Sequence, residues 1–218
     1  MAAVARRQQR SEALRVAVHV RPGAADYLDT TGTPPAVPDA TLAGARAEAL
    51  TPLQQDGGEN PYAVHAEIQQ TMSDLVGIIR REDEIKTALA RLDTLRERAA
   101  KVAAPGGTAY NPGWHLALDL RNILLIAECV ALAALERQES RGGHTRDDYP
   151  AMSPEWRRVN LICSLDGHGQ VVLSRQPIPP IRPDLLALFD VAELKKYMTG
   201  DELAGLPGAA EISAEGTR

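Results

Sequence analysis

Between residues 111 and 136 the sequence reads NPGWHLALDLRNILLIAECVALAALE, and from Ile123 to Leu135 every residue except Glu128 is apolar. Asn111 offers a side-chain oxygen to the orphan amides of a helix start, and Pro112 sits where its missing N–H costs nothing. The segment is therefore read as a helix running to about Glu136. A helix this apolar has to be covered on most faces, so other helices and some further element must pack against it. The apolar run itself, Ile123 to Leu135, falls well short of the ~20 residues needed to span a bilayer.

Two partners for it lie just upstream. Asn60-Pro61 repeats the same opening, and Val64, Ile68, Met72, Leu75, Val76 and Ile79 then recur on one helical face, which predicts a helix over 61–79. After RREDE, a second face appears in Ile85, Leu89, Leu92, Leu95, Ala99 and Val102, with Arg91, Glu97, Arg98 and Lys101 expected to face solvent, until APGG stops it. Three antiparallel helices with short connections make a bundle. One Phe, two Trp and five Tyr in 218 residues suit helix packing better than an aromatic-rich sandwich.

The flanks read differently. Residues 1–38 show no sustained period and end in a proline-rich run, with GAADYLD at most one or two helical turns. A modest helix follows from Asp39, an N-cap candidate, before QQDGGEN breaks the chain. Beyond Trp156, VNLICSL and QVVLSRQPI are β-rich runs around DGHG, a hairpin signal, and PIPPIRP must be extended. A weak helix over 184–198 and a Gly-rich acidic tail close the chain.

The expected architecture is mainly α: a three-helix, spectrin-repeat-like bundle with a C-terminal β-hairpin and an extended tail. Its expected divisions are an irregular segment 1–38, a bundle domain 39–140, a charged loop with hairpin and Pro-rich stretch 141–183, and a weak helix with flexible tail 184–218.

A net charge of −5 gives no field that would draw the chain to nucleic acid. The arginines at 6, 7 and 10 read as a solvated tail. Cys129 and Cys163 cannot form a disulfide framework, which fits a reducing, cytoplasmic compartment. The start lacks the apolar run and cleavage site of a secretory signal.

Motifs for chemistry are few. Gly167-His168-Gly169 lies between two strands and lacks the third glycine of a dinucleotide loop, so it reads as a turn. His144, Asp147 and Asp148 have no second ligand pair to complete a metal site. Ser140 and His144 have no nucleophile elbow around them. No catalytic, cofactor-binding or metal-ligating residue is assigned.

What remains is the knot ERQESRGGHTRDDYP, Glu136 to Pro150, where Arg137, Arg141 and Arg146 alternate with Glu136, Glu139, Asp147 and Asp148 around two glycines. One reading is a solvated helix C-terminus whose arginines complement the macrodipole. The other is an arginine clamp that docks the bundle end on another surface through bidentate pairs. Glu139, Arg141, His144, Arg146 and Asp148 are the candidate docking residues.

The order of these pieces, ENPYAVHAEIQQTMSDLVGIIRREDEIKTALARLDTLRER, then YNPGWHLALDLRNILLIAECVALAALERQESRGGHTRDDYP, then the hairpin and PIPPIRP, resembles the C-terminal region of the flavoprotein subunit of succinate dehydrogenase and fumarate reductase. The likeness runs from about Pro38 to Pro183. ESRGGHTRDDYP is its most specific element, shared with the related L-aspartate oxidases, and the hairpin and WHLALDLRN favour the succinate dehydrogenase or fumarate reductase branch.

The resemblance implies a full subunit with an FAD-binding domain, an inserted capping domain and this helical domain. That subunit interconverts succinate and fumarate at a bound flavin and passes electrons to an iron–sulfur subunit and, through a membrane anchor, to quinone. The family's flavin and substrate residues lie upstream of the matching region, so this chain is expected to bind no cofactor alone and to be inactive alone. Its expected partners are the FAD-binding and capping domains and the iron–sulfur subunit. Its expected place is the cytoplasm, or the cytoplasmic face of the inner membrane through an anchor subunit. A stand-alone helical interaction module, or part of an L-aspartate oxidase, are the alternatives. Residues 1–23 resemble nothing in the family, and without a flavin domain the knot's arginines are expected to face water.

Overall fold

The two Asn-Pro openings act as the sequence indicates in the computed structural model, which describes residues 26–27, 29–31, 36–186 and 188–205. Asn60 Oδ1 accepts from the Tyr62 N–H at 2.9 Å, and Asn111 Oδ1 from the Trp114 N–H at 3.0 Å. Each side chain thus satisfies an amide that the helix start leaves without a partner. The elements in order are α1 (Asp39–Gln54), α2 (Pro61–Leu75), β1 (Ile79–Arg80), α3 (Glu82–Ala99), α4 (Pro112–Glu136), β2 (Thr145–Arg146), a 3-10 turn (Trp156–Arg158), β3 (Val159–Leu165), β4 (Val171–Pro177), and the short α5 (Pro183–Leu186), α6 (Val191–Tyr197) and α7 (Gly200–Ala204).

The chain divides into two compact units, residues 1–48 and 49–218. In the first, Asp26, Tyr27 and residues 29–31 are helical, and Asp39 is the first residue of α1 rather than its cap. Most of the segment expected to be irregular lies outside the described residues.

The second unit carries the bundle: α2, α3 and α4 pack pairwise on one another. Its core is Val64 and Ile68 from α2, Ile85, Ala88, Leu92 and Leu95 from α3, and Leu120, Leu124, Ala127, Ala131 and Ala134 from α4. Alanines at four of the buried α4 positions, Ala117 with the three above, let the neighbouring helices approach closely, while the leucines fill the layers between them. The mainly helical, three-helix architecture with a hairpin is as the sequence indicates.

Two differences concern α2 and α3. Helix α2 ends at Leu75, where the Val76 N–H bonds the Met72 carbonyl, so Ile79 leaves the apolar face and is exposed. Gly77 follows in the break, and a Cβ there would lie 2.7 Å from the Ser73 carbonyl oxygen. Helix α3 begins at Glu82, so the acidic residues of RREDE form its first turn, where they favour the positive end of the helix dipole. Arg98 does not simply face solvent: its guanidinium bridges Glu59 and Glu67, tying α3 to the start of α2. The Glu59–Arg98 pair fixes a strand-like crossing in which the Glu59 carbonyl accepts from Ala103 at 2.9 Å.

Helix α4 is less enclosed than its composition suggests. The hairpin β3–β4, registered Val159 opposite Pro177 and Leu165 opposite Val171, lies along part of it, yet Ile126 and Val130 remain exposed. At the hairpin tip Asp166 Oδ1 accepts from the His168 and Gln170 amides, and Gly169 supplies the positive φ of 76°. The weak helix expected over 184–198 is broken into α5 and α6, which starts after Asp190; the acidic tail beyond residue 205 lies outside the described residues.

Candidate functional site

The C-terminus of α4 leaves carbonyls without helical partners, and the loop that follows brings an arginine back to them. Gly142, at φ 63°, lets the chain reverse between Arg141 and His144, whose backbones pair. The returning strand β2 then pairs in parallel with β1, Ile79 opposite Thr145 and Arg80 opposite Arg146. That pairing carries Arg146 under the end of α4.

Arg146 is fully buried. Its Nη1 donates to the carbonyls of Ala134 at 2.8 Å and Leu135 at 3.0 Å, while Nε and Nη2 bind the two oxygens of Asp148 at 2.7 Å each. Tyr149 lies across the guanidinium, 4.9 Å from ring centroid to Cζ. Asp148 Oδ2 also accepts from the Glu82 N–H at 3.0 Å, and the local cap residue of α3, Arg81, makes no side-chain capping bond. One bidentate pair thus closes the C-terminus of α4 and the N-terminus of α3 together.

A second buried carboxylate organises the loop itself. Glu139, also fully buried, accepts from Arg137 and Arg141 and from the Ser153 N–H at 3.0 Å. Burial alone would raise its pKa, but the hydrogen bonds from Arg141, Ser153 and Arg137 outweigh it and hold the carboxyl below its usual value. Ser140 Oγ accepts from the Arg146 N–H at 2.8 Å and donates to the Tyr149 carbonyl at 2.9 Å.

His144 is buried between two neighbours: Nε2 lies 3.0 Å from the Arg137 carbonyl and Nδ1 lies 2.6 Å from Arg80 Nη1. Arg80 can only donate and the carbonyl can only accept, so the arrangement requires a neutral ring protonated at Nε2. Burial, and then the charges of Arg137, Arg80 and Arg146, depress its pKa in spite of the Arg137 carbonyl. Arg80 also donates through Nε to the Val76 carbonyl at 3.2 Å, closing the end of α2.

The structure therefore corrects one expectation and redistributes the rest. Arg146 does not face water, and it and Asp148 are committed to each other and to helix ends. Glu139 is committed within the loop. Arg137 and Arg141 keep part of their side-chain surface exposed, at 26% and 31%. Arg80, which the sequence did not single out, joins them in an open cleft of about 540 Å³ bordered also by Trp156 and Asn160. The missed signal was the α3 start: a helix opening at Arg81-Glu82 without a capping side chain needs an acceptor from elsewhere in the chain. No cluster of His, Cys, Asp and Glu among the described residues could hold a metal ion, and none of their helices is long and apolar enough to cross a membrane.

Acid should loosen this knot in two stages. The Arg146 hydrogen bonds, against the opposing effect of burial, lower the Asp148 pKa from 3.8 to about 2. A depressed carboxylate contributes stability that is present above the unfolded value and lost as pH falls from about 4 towards 2. The depressed His144 adds stability that is present above 6.5 and declines as pH falls below it. Thermal melts from pH 7 to pH 3 should show a shallow fall beginning near 6.5 and a steeper one below 4. A curve flat down to pH 3 would contradict the buried placement of both groups.

Residues 65–182, which include the whole knot, match the family described as "Fumarate reductase flavoprotein C-term". The chain belongs to that family. In the Sdh1 complex of Mycobacterium smegmatis in the apo form, a chain is 50% identical and superposes with a TM-score of 0.74, over 85% of this chain and 32% of that one. The succinate dehydrogenase flavoprotein subunit of Bacillus subtilis is 31% identical over 111 residues, 50% of this chain and 19% of that protein. The L-aspartate oxidase of Pseudomonas aeruginosa is 32% identical over 166 residues, 75% of this chain and 29% of that protein. The chain is the C-terminal module of the succinate dehydrogenase/fumarate reductase flavoprotein family, and it spans about a fifth to a third of the relatives it matches.

Proposed function

We propose that this module serves a flavoprotein that interconverts succinate and fumarate, and that the α4 knot is the end of the bundle that docks on the flavin-carrying part. The observation that carries the reading is the 50% identity to the M. smegmatis Sdh1 chain across most of this chain. The chemistry of the knot agrees with a supporting role: its buried ion pairs are bound to helix ends. On this reading FAD and dicarboxylate are held by other domains, and the iron–sulfur subunit receives the electrons.

L-Aspartate oxidation is the second reading, favoured by the longer aligned span of the P. aeruginosa relative. Isolating the native polypeptide from cell extract through an antibody to residues 111–150 distinguishes the two. The expected product carries flavin and reduces an artificial dye with succinate. Reduction with L-aspartate alone would assign the oxidase instead, and a product without flavin would overturn both.

A further inference from the structure

The cationic groups around the α4 knot are not balanced. Glu139 is shared between Arg137 and Arg141, so one buried negative charge serves two positive ones. Among the described residues Arg80 has only neutral partners, the Val76 carbonyl and His144 Nδ1. The imidazole is held neutral by its two hydrogen bonds and supplies no compensating charge. All three arginines border the same open cleft, and none of the described side chains lining it is a carboxylate. Burial and the charges of Arg137 and Arg146 weaken the hold of Arg80 on its proton, the response of a cation whose neighbours repel it.

We infer that the cleft seats a carboxylate side chain presented by the flavin-carrying part of the same flavoprotein, held by Arg80 and Arg137, an inference that rests on reading the chain as a module of that protein. A planar guanidinium presents paired donors that match a carboxylate, and a pair formed in a partly desolvated cleft is stronger than one in open water. A protein segment fits better than a free dicarboxylate. The cleft is open rather than enclosing, its borders include the apolar Val130 and Leu161, and exposed Ile126 continues the apolar strip along α4. A small diacid would leave that strip wet, whereas a segment carrying an acidic residue among apolar ones would cover it.

The test uses this chain and the remainder of the M. smegmatis Sdh1 chain, loaded with flavin as proof that it is folded. Wild type is expected to bind it with an affinity that falls as salt rises, and Arg80→Gln should weaken binding at least tenfold. Because Arg80 also closes α2, a second variant leaves every arginine in place: Asn160→Asp puts a carboxylate on the exposed rim of the cleft and should weaken binding by a similar factor. Wild-type affinity in both variants would overturn the carboxylate and leave the module reading standing. Failure of the wild type to bind would overturn the module reading and the inference with it. A melting temperature raised by millimolar succinate in wild type but not in Arg80→Gln would assign the cleft to a small dicarboxylate instead.

Discussion

Arg146→Ala is expected to destabilise the chain by about 3–5 kcal/mol, the cost of removing one member of a buried pair. The substitution leaves the Ala134 and Leu135 carbonyls and both Asp148 oxygens without their guanidinium, and it opens a void against Tyr149. The loss is larger than a surface ion pair would give because the arginine is wholly inaccessible and because two helix ends depend on it. At ~2–4 °C per kcal/mol for a chain of this size, the melting temperature should fall by about 10 °C. Asp148→Asn should also be costly: the amide oxygen can still accept from the Glu82 N–H, but the buried guanidinium loses its counter-charge and one of its N–H groups then faces the amide NH2. A shift of under 2 °C for Arg146→Ala would mean that water replaces the guanidinium at little cost, contrary to its burial.

The second large effect is in the bundle core. Leu124→Ala is expected to cost about 2–5 kcal/mol, because Leu124 is 1% exposed and sits among core residues from α2 and α3. Its neighbour Leu125 is only half-buried, so the same change there should cost clearly less. The pair of variants, compared by denaturant unfolding with unchanged slope, reads out which α4 face is inward. Equal losses at the two positions would contradict the orientation of the helix.

That contrast also shows where sequence reading stops. The helix starts at Asn60 and Asn111 were legible because a capping side chain acts on amides two or three residues away, and the hairpin because its turn chemistry is equally local. The inward face of α4 was not, since apolar residues on every side give no phase, and Leu125 is as apolar as Leu124. The end of α2 was misplaced because Ile79 continues the apolar period, whereas the structure breaks at Gly77 and sends Ile79 into a pairing with Thr145. The knot was legible as a motif but not as a buried lock. Its solvation is decided by the β1–β2 pairing and by the Asp148–Glu82 bond, both between residues more than sixty positions apart. Arg80 went unnoticed for the same reason, since its guanidinium gains meaning only when His144 and Arg137 are folded against it.

The most direct measurement is reconstitution of activity. The flavin-loaded remainder of the M. smegmatis Sdh1 chain is assayed for succinate-dependent dye reduction with and without this module, at module concentrations that saturate binding. The expected rate is low without the module and rises with its addition to a plateau. A rate unchanged by the module, with both components folded, would contradict the claim that this chain completes a succinate-oxidising flavoprotein.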